Sequence, residues 1–201
     1  SIDEGGRYAF GRQPAIAQWN LTRFAETLLP LIADNPEDAI APATELLETF
    51  PETFSRYWHD GLAHRLGLST HVDGDDVLAN DLMQLLQERR LDLISTMRSL
   101  SAHLRGDDIG LDDWTTRWES RLQLENATSE ELIQRLDAIN PIYVPRNHLV
   151  EEALAQAVAG DLDPFMQMLE RVTHPYERVA GADRFAEPGD PAPGYRTYCG
   201  T

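Results

Sequence analysis

Apolar residues recur at every third or fourth position along most of this chain, which is the spacing of one face of an α-helix. The clearest stripes are Leu78, Leu82, Leu85 and Leu86, then Leu93, Met97, Leu100 and Leu104, then Trp114, Trp118 and Leu122. No segment alternates apolar and polar residues over the length of a strand, and no Asn-Gly or Asp-Gly turn joins two β-branched runs. The pattern predicts an all-α fold of roughly eight helices, with irregular ends at residues 1–14 and 176–201.

Polar residues, glycine and proline predict where the helices begin and end. Asn35, followed by proline, is expected to be an N-cap, and Thr128 with Glu131 has the spacing of a capping box. Gly106 follows a leucine stripe and is expected just beyond a helix end, in a left-handed conformation. Pro30 lies inside the first stripe and is expected to kink or end that helix.

The stripes also predict the core and the last helix. We expect mostly buried side chains at Trp19, Phe24, Leu82, Leu85, Trp118, Leu136 and Leu169, because each lies on an apolar helical face. The last helix is expected to have Asp163 as its N-cap and Pro164 as its first residue, and to stop at Pro175.

The charge balance narrows the range of partners. The chain has 34 acidic and 17 basic residues, a formal net charge of −17. Such a chain repels phosphate backbones and anionic lipids, so we expect no binding to nucleic acid or membranes.

No apolar run reaches the roughly 18 residues of a membrane span. The N-terminal residues do not have the pattern of a signal peptide, and a cytoplasmic location is expected.

All 17 basic residues are arginine. Without lysine, this chain cannot supply a P-loop lysine, a Schiff-base lysine or the lysine that contacts ATP phosphates in kinases. A nucleotide site that depends on lysine must therefore take that residue from outside the chain.

Histidines and acids do not predict a metal site. His59 and His64 are five residues apart, which on a helix turns one side chain about 140° from the other, so capping or surface roles are expected. The acidic stretch 73–84 resembles a calcium loop, but Leu78 and Gln84 stand where that loop needs glycine and glutamate. Its acids are expected to lie at the start of a leucine-rich helix, and no catalytic Ser–His–Asp or Cys–His arrangement can be singled out.

Two longer stretches resemble one protein family. Residues 6–32, GRYAFGRQPAIAQWNLTRFAETLLPLI, are similar to the SelO (selenoprotein O, YdiU) family. Residues 140–154, NPIYVPRNHLVEEAL, resemble the Asn-Pro-x-Tyr-x-x-Arg-Asn block of that family. DLISTMRSLS between these stretches, and HPYE and a cysteine near the C-terminus after them, come in the order expected for the family.

The resemblance implies a protein-kinase-like fold that binds ATP in a flipped orientation. It implies a protein adenylyltransferase that uses ATP and magnesium to move AMP onto Ser, Thr or Tyr hydroxyls of proteins. In the family order, the metal ligands, the base-like aspartate, the lysine and the phosphate-binding arginines all precede the GRYAF block. We therefore expect this chain to be the C-terminal portion of such an enzyme, without the nucleotide site and inactive alone. Its partners would be the N-terminal kinase-like half and protein substrates.

The resemblance also divides the chain. It assigns residues 1–14 to the end of an activation-segment-like loop, 15–66 to kinase-like C-lobe helices, 67–175 to a family-specific helical region, and 176–201 to a Pro/Gly-rich tail. Arg7, Tyr8 and Gln13 match the first block. They are expected either to approach the site in the intact enzyme or to anchor the loop to the first helix.

Cys199 is the single cysteine, so it cannot form a disulfide within this chain. The resemblance implies a redox role, because some family members pair a C-terminal cysteine or selenocysteine with a cysteine on the activation-like loop. Residues 1–5 contain no cysteine, so a loop partner would lie before residue 1, or the thiol is unpaired. A second hypothesis for the whole chain is a stand-alone acidic helical module that binds proteins and has no enzymatic activity.

Overall fold

The computed structural model describes residues 6–7 and 9–189, and the secondary structure of this part of the chain is helical, without a β-strand. The expectation of an all-α fold is confirmed. The described residues form nine α-helices: α1 Gln13–Ile32, α2 Pro36–Glu48, α3 Phe50–Arg65, α4 Asp75–Arg89, α5 Leu93–Leu104, α6 Asp112–Leu122, α7 Ser129–Ile139, α8 Asn147–Val158 and α9 Asp163–Thr173. Short 3₁₀ turns lie at Phe10–Arg12, Gln123–Glu125 and Asp183–Phe185.

The described residues divide into two compact units. The first ends at Trp58 and the second begins at His59, so the division falls inside α3. The assignment of 15–66 to kinase-like helices and of 67–175 to a family-specific region concerns likeness to kinases and stays a prediction. Tyr8 and Cys199 lie outside the described residues.

Local signals placed several helix ends correctly. The Asn35 side chain accepts a hydrogen bond from the Glu37 amide at 3.3 Å. The capping box of α7 is complete, since Thr128 Oγ1 accepts from the Glu131 amide and Glu131 Oε2 accepts from the Thr128 amide at 2.7 Å. Gly106 follows the end of α5 with φ of 108°. The Asn35 and Thr128 N-caps each stabilise their helix by about 1 kcal/mol.

Two of the predicted ends need correction. Pro30 neither ends α1 nor prevents hydrogen bonding beyond it, because the Ala33 amide still donates to the Leu29 carbonyl at 3.4 Å. The hydrogen bond that a proline lacks is the one from its own nitrogen to the carbonyl four residues earlier, so the helix can continue beyond it. The alternative expectation, a kink at Pro30, stays a prediction. Asp163 is the first residue of α9, not its cap, and its own amide donates to the Asp161 side chain at 3.0 Å.

In the first unit, α1 packs against α2, and no residue of α1 is buried. Trp19 is 49% exposed and Phe24 is 59% exposed, so their predicted burial is wrong. The apolar stripe of α1 is wider than the contact that α2 provides. A helical period identifies an apolar face but does not identify what covers it.

The core of the second unit confirms most of the other expectations. Leu82, Trp118 and Leu136 are fully buried, and Leu85 is half-buried. Leu169 is 40% exposed, so its predicted burial is wrong, and the neighbouring Met168 faces the core instead.

Two stacked tryptophans organise this core. The rings of Trp114 and Trp118 lie 5.8 Å apart at an interplanar angle of 16°. Their indole N–H groups donate to the carbonyls of Leu78 and Leu66, each at 2.9 Å. The two bonds join α6 to α4 and to the residue that follows α3, so the buried N–H groups are satisfied.

Candidate functional site

The Asn-Pro-x-Tyr-x-x-Arg-Asn block lies in the loop between α7 and α8 and at the start of α8. Asn140 is fully buried, and its side-chain amide donates to the Arg65 carbonyl at 2.8 Å. The Tyr143 hydroxyl accepts from the Val179 amide at 3.0 Å, and the Tyr143 amide donates to the Pro175 carbonyl at 3.2 Å. These bonds hold the C-terminal segment to the end of α3 through a single loop.

The arginine of the same block extends this arrangement to α5. Arg146 donates to both carboxylate oxygens of Asp92, at 2.7 and 2.9 Å, and to the Ala186 carbonyl at 3.2 Å. Asp92 is also the N-cap of α5, through the Ser95 amide at 2.8 Å. Hydrogen bonding from Arg146, with smaller contributions from Ser95, outweighs burial and lowers the pKa of Asp92 to about 2. The Asn, Tyr and Arg of this block therefore bind other parts of the second unit.

A second charged network is buried beneath the loop before α4. Arg121 donates to Asp75 from Nε at 2.6 Å and from Nη2 at 3.1 Å, and to Glu125 from Nη1 at 2.9 Å. Ser69 and Thr70 donate from their hydroxyls to Glu125, at 2.5 and 2.9 Å. Burial opposes the ionised form of Glu125, but these hydrogen bonds outweigh it and lower its pKa to about 2. Arg135 also donates to Glu125, at 2.9 Å. Two arginines thus balance two carboxylates, which is typical of a structural role.

This network accounts for one acid of the stretch 73–84. Asp75 lies in the first turn of α4, as expected, but it is buried and paired with Arg121 46 residues away. Arg121 and Glu125 were not recognised from the sequence as important. Their i, i+4 spacing was a usable signal, but it occurs on many exposed helices.

Among the residues from the first block, the structure places Arg7 against α1. Its guanidinium carbon lies 4.7 Å from the centre of the Trp19 ring, and that of Arg23 lies 5.8 Å from the same ring. Gln13 is the exposed first residue of α1. Because a cation over an indole face is attracted by the ring, Arg7 holds its loop to the first helix. Any approach of Arg7, Tyr8 and Gln13 to a nucleotide stays a prediction.

Histidines and acids are dispersed in the described part of the chain. His59 Nε2 lies 3.5 Å from the Asn80 amide nitrogen. Within residues 6–7 and 9–189, no three His, Cys, Asp or Glu side chains group in a way that would hold a metal ion. The helices found there are also too short or too polar to cross a membrane.

Comparison with known proteins gives one family. The family model described as "Protein adenylyltransferase SelO" matches residues 1–173. The chain is similar over its whole length to proteins named "Protein nucleotidyltransferase YdiU" from three bacteria. It is 44% identical to that of Mycolicibacterium smegmatis, 41% to that of Geobacillus kaustophilus and 40% to that of Rhodococcus jostii.

The matched region is only part of each relative. The alignment takes in 100% of this chain but 41% of the M. smegmatis and R. jostii proteins and 43% of the G. kaustophilus protein. The chain thus spans about two fifths of the length of these relatives. The family model matches residues 1–173, and the chain is at least 40% identical to each of these three relatives. The chain therefore belongs to the SelO family.

Proposed function

We propose that this chain is the C-terminal portion of a protein adenylyltransferase, which transfers AMP from ATP to Ser, Thr or Tyr hydroxyls of protein substrates. The observation that carries the proposal is the similarity of the entire chain to about two fifths of proteins named nucleotidyltransferases. The alternative of a stand-alone acidic binding module is not favoured, because no part of the chain falls outside that similarity. We also propose that this enzyme is cytoplasmic.

The nucleotide site is proposed to lie outside this chain. ATP transfer enzymes place Mg²⁺ and cationic side chains on the phosphates. This chain has no lysine, and the acids of its buried network are already paired with arginine. Asp75 and Glu125 are therefore not available as Mg²⁺ ligands. ATP and Mg²⁺ are cofactors of the proposed whole enzyme.

The first unit presents the surface that we assign to the N-terminal kinase-like half. Leu31 is 82% exposed and Leu46 is 72% exposed, and both belong to the hairpin of α1 and α2. Other large apolar side chains that are exposed in this unit include Phe24, Ile32, Ile40 and Tyr57. A folded protein seldom leaves so many apolar groups in water unless another surface covers them.

A transfer assay with α-³²P-ATP and Mg²⁺ tests the proposal. The whole enzyme, made by joining this chain to its preceding reading frame, is expected to label protein, whereas the 201-residue chain alone is not. The full-length M. smegmatis relative is the matched control. Label that appears with γ-³²P-ATP instead would indicate kinase chemistry. A micromolar dissociation constant for ATP–Mg²⁺ from calorimetry on this chain alone would overturn the placement of the nucleotide site.

A further inference from the structure

A cleft of about 630 Å³ opens in the second unit, beside α5, the end of α7 and the segment 178–186. Its charged lining consists of Arg98, Arg105 and Arg178 with Asp107 and Asp137. Asp183, which pairs with Arg178, adds a third negative charge beside the three arginines. The cleft thus brings three guanidinium groups together in a chain with 34 acidic and 17 basic residues.

Arg98 lines the cleft and has a structural role there. It donates from Nη1 to the carbonyls of Asp137 and Asn140, at 2.9 and 3.0 Å, which satisfies carbonyls at the end of α7. Its Nη2 lies 3.1 Å from Asp137 Oδ1. Burial lowers the pKa of Arg98, the charge of Asp137 raises it, and the charges of Arg105 and Arg178 lower it again. Arg105 and Arg178 are therefore each within electrostatic reach of Arg98, and all three line the same cleft.

Arg105 and Arg178 are the accessible cations of the cleft. The Arg105 side chain is 48% exposed and donates to Asp137 at 2.6 Å and to Ser101 Oγ at 3.0 Å. The Arg178 side chain is 65% exposed and donates to Asp183 at 3.1 Å. A guanidinium has five N–H donors, so these contacts leave donors on both residues for a ligand.

We propose that this cleft binds a phosphate dianion, either free or as the phosphate group of a small phosphomonoester, between Arg105 and Arg178. The planar guanidinium presents paired N–H groups that match phosphate oxygens, and two such groups complement a doubly charged anion. The volume lies within the range of small-molecule sites, so the cleft has room for more than phosphate itself. Because the ligand competes with Asp137 and Asp183, we expect a dissociation constant on the order of 1 mM for inorganic phosphate.

The test is an NMR titration of the ¹⁵N-labelled 201-residue chain with inorganic phosphate, and separately with glycerol 2-phosphate. Sodium chloride of equal ionic strength supplies the baseline, since screening alone shifts exposed amides. Saturable shifts are expected in α5 and in residues 178–186. Tighter binding of glycerol phosphate would assign the cleft to a phosphomonoester, and equal or weaker binding would assign it to free phosphate. Equally tight saturation by acetate would overturn the proposal in favour of a carboxylate site.

The arginines are tested by a matched pair of double variants. Arg105→Gln with Arg178→Gln should weaken phosphate binding at least tenfold, because each removes charge-assisted hydrogen bonds. Arg89→Gln with Arg117→Gln removes the same charge from two exposed ion pairs outside the cleft and should leave binding unchanged. An equal loss in both variants, or shifts that follow ionic strength alone, would refute the site. If the first double variant unfolds, the single Arg178→Gln variant decides, since that side chain is exposed and makes one hydrogen bond.

Discussion

Arg146 donates two hydrogen bonds to the carboxylate of Asp92, at 2.7 and 2.9 Å, across 54 residues of sequence. Through this pair, the loop after α7 is bound to the N-cap of α5, and the Ala186 carbonyl joins the same guanidinium. The arginine of the Asn-Pro-x-Tyr-x-x-Arg-Asn block therefore connects three segments of the second unit.

The Arg146 pair should contribute measurably to stability. We expect Arg146→Ala to lower the free energy of unfolding by about 2 kcal/mol, because Asp92 loses its bidentate partner in a mostly buried setting. Arg146→Lys should recover part of that loss, since it keeps the charge but not the paired donors. Arg117→Ala, which removes an exposed pair with Asp81, is the control and should cost less than about 1 kcal/mol. Urea unfolding at pH 7 measures all three, and equal losses at Arg146 and Arg117 would contradict the prediction.

Stability should fall in acid as two arginine-paired carboxylates, Asp92 and Glu125, are protonated. The pKa of Asp92 is lowered from 3.8, and that of Glu125 from 4.5, each to about 2. A carboxylate whose pKa is depressed by folding stabilises the protein fully above its unfolded pKa, and this stability is lost as the pH falls through the folded pKa. We therefore expect a decline between pH 4.5 and about 2, and no contribution to pH dependence near neutrality.

Glu125→Gln isolates one of these groups. It should lower stability at pH 7 and reduce the slope of stability against pH below 4.5, because the titrating group is gone. Glu119→Gln, at a half-exposed side chain in α6 just before the 3₁₀ turn that holds Glu125, is the control. Urea midpoints at several pH values measure the slopes. An unchanged acid slope in Glu125→Gln would show that Glu125 does not cause the decline.

The apolar surface of the first unit should bind the N-terminal half of the proposed enzyme. We expect Leu31→Glu with Leu46→Glu to prevent co-purification of a co-expressed N-terminal half, because two charges would be buried at the contact. Since both side chains are largely exposed, the chain itself should keep its stability. Val158→Glu is the control, as Val158 is 92% exposed in the second unit. Retention of the N-terminal half by the double variant would assign the docking surface elsewhere.

Cys199 carries the prediction of redox control in the whole enzyme. We expect a reversible disulfide with a cysteine that precedes residue 1, which would tether the activation-like loop to the tail and restrict access of protein substrates. Reductant should therefore raise AMP transfer, and Cys199→Ser should remove that response. The measurements are a mass-spectrometric thiol map and transfer with and without dithiothreitol. A free Cys199 thiol under oxidising conditions would contradict the switch, as would a full redox response in the Ser variant.

The helical period and several helix ends could be predicted from the sequence alone. The helical period predicted the all-α fold, and the capping box at Thr128 and the glycine at Gly106 placed helix ends correctly. These signals work because both partners lie within one turn of helix, so no other part of the chain has to be known. Membership of the SelO family could also be predicted from the sequence, because it depends on the order of sequence blocks and not on geometry.

Burial and long-range pairing were decided by the tertiary structure. Trp19 and Trp118 both occupy apolar helical stripes, yet the first is 49% exposed and the second is fully buried. The difference lies in what packs against each helix, which periodicity does not encode. For the same reason, the sequence could not show that Arg105 lines a cleft with Arg178, 73 positions further on. Such a site exists only because helix packing and the returning C-terminal segment bring distant guanidinium groups to one cleft.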